Sequence, residues 1–257
     1  MLAGCEYMRG IKVYSVFLLL ISVSFAGCIS EDKDEVQLNL QVSYDSLNGT
    51  IMESYSDGEL VSSEFVIINL DFSGTNSEDE LIIFGVDTND GRAPVEVIPA
   101  DNSIISIEFT EHGLYDIVVY AIDDGNKREN LSLEVRIELT LEWVEVNTNN
   151  PKSLVFDPTP RNGGEHPIMI ELESTVENPE QIQDFGGGQS VQITWNIIDE
   201  NNDTCQRNSD QVSNGDSVTW TTIHFNTYLV HELLIESDDD QEGININQSI
   251  SIIYNSD

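Results

Sequence analysis

The chain has 257 residues, with 10 basic side chains against 47 acidic ones and a formal charge of −37. That excess excludes a nucleic-acid binder, which needs a basic footprint to displace phosphate counterions, and it excludes electrostatic adsorption to an anionic membrane surface. It suits either a solvated, self-repelling surface in salty surroundings or a cation-binding face, and the length allows one large domain or two of about 100 residues, each with its own core.

Arg9 and Lys12 precede a 14-residue, largely apolar run, Val13 to Ala26. The run is too short for an ordinary spanning helix and has the length of a signal h-region. It ends in Phe25-Ala26-Gly27-Cys28. Charge, apolar run and small residues before a cysteine together resemble the lipobox of prokaryotic lipoprotein signals. The resemblance implies cleavage before Cys28 and a lipid on Cys28, which anchors the chain to the outer face of the membrane. An uncleaved signal anchor and an unlipidated secretory peptide are the alternatives, and Met8 is a second candidate start. On the lipoprotein reading, residues 1–27 are the signal peptide and 28–35 the lipidated cysteine with an acidic tether. The mature chain keeps eight basic and 46 acidic residues, a formal charge of −38. Cys5 is removed and Cys28 lipidated, which leaves Cys205 alone with no internal disulfide.

From 36 to 141 the pattern is short alternating runs, the signature of half-buried strands. They fall at Val36–Tyr44, Phe65–Phe72, Leu81–Val86, Val95–Ile98, Ile104–Phe109, Tyr115–Asp123 and Leu131–Leu141. Turn chemistry separates them at Asp57-Gly58, Asp90-Gly91 and Asp124-Gly125. Seven such strands in about 105 residues predict an immunoglobulin-like sandwich. Asp45 to Val61 is a long connection, an extra hairpin or a surface loop. Ile104 to Gly125 reads as a central hairpin. Its second strand is apolar on both faces, and Gly113 supplies the positive φ of its turn.

Phe109, Gly113, Tyr115, Ile117, Val119, Ala121, Asp123 and Gly125 follow the order of conserved-type positions in the PKD repeat, and Leu70 to Thr75 with Asp90-Gly91 resemble its earlier strands. Phe84 stands where that family carries a tryptophan. The resemblance covers residues 60 to 139. It implies an extracellular β-sandwich module of the kind used in series for spacing, adhesion or accessory binding. The lipobox and the acidity together suit a marine or halophilic prokaryote, archaea included.

Odd positions are apolar from Leu131 to Leu141, but after Trp143 the apolar residues are Val144 and Val146. With a side-chain period of two, that change of parity predicts a twist, a bulge or a change of sheet, and a stiff junction near 141–143. Residues 142–257 then read as a second, more divergent sandwich. A shift of 116 positions places Phe225, His231, Leu233, Ile235, Ser237 and Asp239 on Phe109, Tyr115, Ile117, Val119, Ala121 and Asp123. Val191 to Asp199, with Trp195, resembles the Trp-containing third strand of the same family. Further strands are expected at Pro167–Glu173, Ser217–Phe225 and Gln248–Tyr254, with irregular loops over Pro151–Gly164 and Glu177–Gly188.

None of His112, His166, His224 and His231 forms an H-x-x-x-H pair or has cysteines at zinc spacing. No nucleophile elbow, P-loop or dinucleotide fingerprint is present, so the sequence predicts no enzyme. Calcium is the one cofactor to weigh. Asp199, Asn201 and Asp203 have the 1, 3, 5 oxygen spacing, and Asp238, Asp240 and Glu242 precede a glycine, but both runs equally suit ordinary turns. Asn48, Asn130, Asn202 and Asn247 head four glycosylation sequons. The expectation is an all-β cell-surface lipoprotein of two tandem immunoglobulin-like or PKD-like sandwiches. It would act by adhesion, spacing, or binding of a protein or glycan. The alternative is an accessory lipoprotein that captures a solute or polymer for a partner transporter or hydrolase.

Overall fold

A computed structural model describes residues 38–180, 188–237 and 243–255, and every regular element among them is a β-strand. The leader, Cys28, the tether and Asp238, Asp240 and Glu242 lie outside the described residues. The strands are β1 (Asn48–Ser56), β2 (Glu59–Glu64), β3 (Val66–Asp71), β4 (Leu81–Asp87), β5 (Val95–Val97), β6 (Ile104–Phe109), β7 (Gly113–Asp123) and β8 (Arg128–Thr148). They continue with β9 (Leu154–Phe156), β10 (Met169–Glu177), β11 (Val191–Asp199), β12 (Thr204–Val212), β13 (Ser217–His224), β14 (His231–Ser237) and β15 (Ile244–Ile253).

The 21-residue β8 ties the fold together. Residues 128–137 take β7 antiparallel, residues 136–144 take β1 parallel, and residues 139–148 take β15 antiparallel. One nine-stranded sheet therefore runs β13-β10-β15-β8-β7-β4-β5, with β1 and β2 attached beside β8. Two smaller sheets cover it. The β3–β6 pair closes one core around Leu70, Phe72, Ile105, Phe109, Ile117 and Ile137. The β12-β11-β14-β9 sheet closes another around Trp195, Ile193, Ile197, Ile170, Leu233 and Ile250. Each fully buried side chain of this size contributes about 1.5–3 kcal/mol. The protein is an all-β sandwich with two cores, and Leu139 packs against both.

Most of the alternating runs become strands where the sequence places them. β7 lies between β4 and β8, as its two apolar faces require. Asp123, fully buried, accepts the Lys127 amide at 2.9 Å and the Ser77 hydroxyl at 2.8 Å, which closes the turn after β7. Asp45–Val61 holds the β1–β2 hairpin, whose two-residue turn sets Asp57 at φ 51° and Gly58 at φ 83°. Gly113 has φ 157°, and a Cβ there would lie 2.8 Å from the Asn162 side chain.

Six expectations are corrected. Ile104–Gly125 is not a hairpin: β6 pairs β3 in one sheet while β7 pairs β4 and β8 in the other, so their buried faces meet across the first core. Over the described part of Val36–Tyr44 there is no strand, only isolated bridges Asn39↔Asn76 and Ser43↔Asp71. Between them the Thr75 hydroxyl receives the Gln41 amide at 3.1 Å and donates to the Gln41 carbonyl at 2.9 Å, replacing the ladder. The parity of β8 does not change at Trp143. Val144 and Val146 face solvent, and Glu145 continues the buried row. The bulge comes later: Ile246 pairs Glu145 but Ile244 pairs Thr148, with Asn147 at φ 55°. Pro151–Gly164 is not wholly irregular, because it contains β9. β12 was not foreseen, since its exposed edge position lets a polar sequence form a strand. Phe225, aligned with buried Phe109, lies just beyond β13 and is 70% exposed. β14 shares the buried rhythm of β7 yet sits in a small sheet, so the internal repeat is one of local pattern and not of topology.

Candidate functional site

Period-two geometry turns Ile51, Glu53 and Tyr55 of β1 to one side, where they meet Leu139 and Leu141 of β8. Thr110–His112, after β6, and the stretch from β9 to Arg161 complete the walls of an open cleft of about 320 Å³. The cleft sits at the seam of the two cores. Its Tyr55 ring stacks on Trp143 at 5.7 Å and donates its hydroxyl to Glu53 at 2.7 Å. Burial, with the Glu53 carboxylate beside it, pushes that hydroxyl up to about 12, so it stays protonated.

His112 latches the seam. One ring nitrogen lies 2.8 Å from the Tyr254 hydroxyl and the other 3.2 Å from the Asp157 carbonyl. Desolvation pushes this histidine below its ordinary range, against the pull of the Asp157 carbonyl and the Asp157 and Glu111 charges. Arg161 reaches Glu111 at 3.4 Å across the rim. The cleft thus combines one aromatic plane, three carboxylates (Glu53, Glu111, Asp157) and one guanidinium. Such a lining accepts hydrogen bonds from hydroxyl groups and packs against a flat apolar face.

A second constellation lies at one end of the second core. Cys205 on β12, His224 at the end of β13 and His231 at the start of β14 bring one ligand atom each within 4.8 Å of one another. The two Nε2 atoms are 3.0 Å apart, with the rings edge to face, and Phe156 stacks on His231 at 5.5 Å. Desolvation first, then Asp199 and Asp203, push the Cys205 thiol up. Both histidines are pushed down, chiefly by burial.

Asp199 serves its own turn. Its Oδ1 accepts the Asn201 amide at 2.9 Å and the Asp203 amide at 3.0 Å, and these amides hold its carboxyl below the usual range. Asn201, Asn202 and Asp203 are exposed. The Asn48, Asn130 and Asn247 side chains are exposed too, but Asn247 lies mid-strand in β15, paired on both sides. His166 bonds the Thr227 carbonyl at 2.8 Å and belongs to neither constellation. Sequence reasoning missed the cleft because Glu53 and Tyr55 lie in the stretch left between hairpin and loop. It missed the cysteine–histidine cluster because residues 205, 224 and 231 share no motif spacing. The only available signal was two histidines at strand positions that the fold buries.

No family model and no curated protein matches this chain. Among solved structures, it is similar to one described as a carbohydrate-binding module of the beta-sandwich superfamily, at 10% identity and a TM-score of 0.32. That match covers 86% of this chain and 98% of the other. It is also similar to the fibronectin(III)-like modules of CbhA from Clostridium thermocellum, at 13% identity and a TM-score of 0.25, over 83% and 94% of the two chains. Overlaps this loose carry no argument about function.

Proposed function

We propose that the chain is a non-enzymatic binding module, tethered outside the cell through a lipid on Cys28, that holds a glycan in the cleft between its two cores. The observation that carries this reading is the cleft itself: Tyr55 backed by Trp143, ringed by Glu53, Glu111 and Asp157, in a groove kept in shape by the His112 latch. Carboxylates accept from sugar hydroxyls, and an aromatic face covers the apolar face of a pyranose. A largely preformed groove spares the ligand the ordering cost of a flexible one. The PKD-like pattern of the first half agrees with an extracellular module, and the acidity with a soluble surface.

Affinity electrophoresis of the full chain through gels carrying neutral polysaccharides tests the binding. Retardation by at least one polysaccharide, lost in Tyr55→Ala while the melting temperature shifts only modestly, is the expected result. Migration unchanged by every polysaccharide, or retardation indifferent to Tyr55→Ala, overturns it. Intact mass of membrane-extracted protein tests the anchor: added lipid mass on a chain beginning at Cys28, absent from Cys28→Ser, is expected.

A further inference from the structure

We propose that Cys205, His224 and His231 form a binding site for one borderline-soft transition ion such as Zn²⁺, with two nitrogens and one sulfur from the protein and water completing the shell. Three observations carry it. The donor set is the first: imidazole nitrogen and cysteine sulfur suit zinc and its soft neighbours, and three protein ligands leave an open position. Spacing is the second. Nitrogens bound at about 2.0–2.1 Å in a tetrahedral shell lie roughly 3.3 Å apart, and the two Nε2 atoms here, at 3.0 Å, need to part only slightly.

The third observation is how the ligands are held. His231 is 1% exposed, and its ring is packed face to face against Phe156 at 5.5 Å. The strands carrying Cys205 and His224 are clamped next to the cluster by Gln206, which donates to the Ile223 carbonyl at 2.9 Å and accepts the Thr222 hydroxyl at 2.8 Å. A metal site needs such positioning of its ligands. A cavity of about 240 Å³ borders His231 between Asp199, Glu200 and Glu232, whose charges favour a cation. The ion would join β12, β13 and β14, which belong to both sheets of the second core. None of the three ligands lines the cleft, and the site is independent of the glycan reading.

The test uses the full chain carrying Cys5→Ser and Cys28→Ser, so that Cys205 is its one thiol. Titration with Co²⁺ is expected to saturate at one ion per chain, with a thiolate-to-cobalt charge-transfer band that Zn²⁺ displaces. Adding Cys205→Ser removes the band, and His231→Gln weakens binding by roughly 100-fold or more, beyond the usual loss of an outer-shell partner. Should a variant fail to fold, alkylation of Cys205 in the parent chain supplies the answer. Zinc is expected to slow it by roughly tenfold or more, because the lone pair with which the thiolate attacks would be engaged by the ion. A charge-transfer band that never forms, binding that survives Cys205→Ser, or alkylation indifferent to zinc overturns the site.

Discussion

The Trp143 indole donates its Nε1 hydrogen to the Glu145 carboxylate at 2.9 Å, two residues along the same buried face of β8. Glu145 is 2% exposed and also accepts the Lys152 amide at 3.0 Å. A carboxylate therefore stands in a row of core positions because two donors meet it there. Glu145→Ala leaves both donors unsatisfied and is expected to cost about 2–6 kcal/mol, at about 1–3 kcal/mol per orphaned buried donor. Glu145→Gln keeps one acceptor oxygen and is expected to cost less. Urea unfolding followed by Trp fluorescence measures both, and equal losses for the two variants would contradict the assignment.

Gly85 lies beneath the ring of Tyr120. A Cβ at that position would stand 2.2 Å from Cζ of the ring. The ring is held from above by Arg128, 3.8 Å from its centroid, and at its tip by Glu96, which accepts the hydroxyl at 2.6 Å. It has little room to move. Gly85→Ala is expected to destabilise by about 1–3 kcal/mol through overpacking. Combined with Tyr120→Ser the loss should be less than additive, since the clash is gone. Full additivity in a double-mutant cycle would mean that the ring already yields.

The Thr75 hydroxyl stands where a strand partner of Gln41 would otherwise be. Thr75→Val keeps the shape and removes both bonds, with an expected cost of about 1–3 kcal/mol. Hydrogen exchange at the Gln41 amide should accelerate more than at Asn39 or Ser43, which keep their backbone partners. Uniform acceleration would point instead to a general loss of stability.

Acidification tests the latch at the seam. Burial lowers the affinity of His112 for a proton, aided by Arg161 and opposed by the Asp157 carbonyl and the charges of Asp157 and Glu111. As the pH falls through the ordinary 6.5, the unfolded chain takes up this proton before the folded one. Stability is therefore complete above that value and declines below it, until the folded protein also protonates. Asp90, held down to about 2 chiefly by Arg92 and Thr88 against desolvation, acts in a different window: its contribution disappears only as the pH falls below 3.8. The slope of stability between about pH 7 and pH 5 should be shallower in His112→Gln than in the parent chain. An unchanged slope would remove His112 as a contributor.

Alternation of side chains is a local property of the backbone, so β3, β4, β6, β7, β10, β11 and β15 were legible in the order of residues. An all-β architecture with two cores followed from them, as did the turn at Asp57-Gly58. Pairing is a different matter, because any strand of suitable pattern can lie beside any other. That β1 returns parallel to β8, and that β8 runs unbroken through both halves, was decided by packing between residues nearly a hundred positions apart. The same long-range packing buries Glu145 in an apolar row and exposes Val144 and Val146. It also assembles the cleft from β1, β8 and β9, and brings Cys205 to His224 and His231. Residue order alone determined the charge and the strand rhythm, since each depends on the residues themselves and their neighbours in the chain. Which side chains meet was left to tertiary structure, since that depends on neighbours in space.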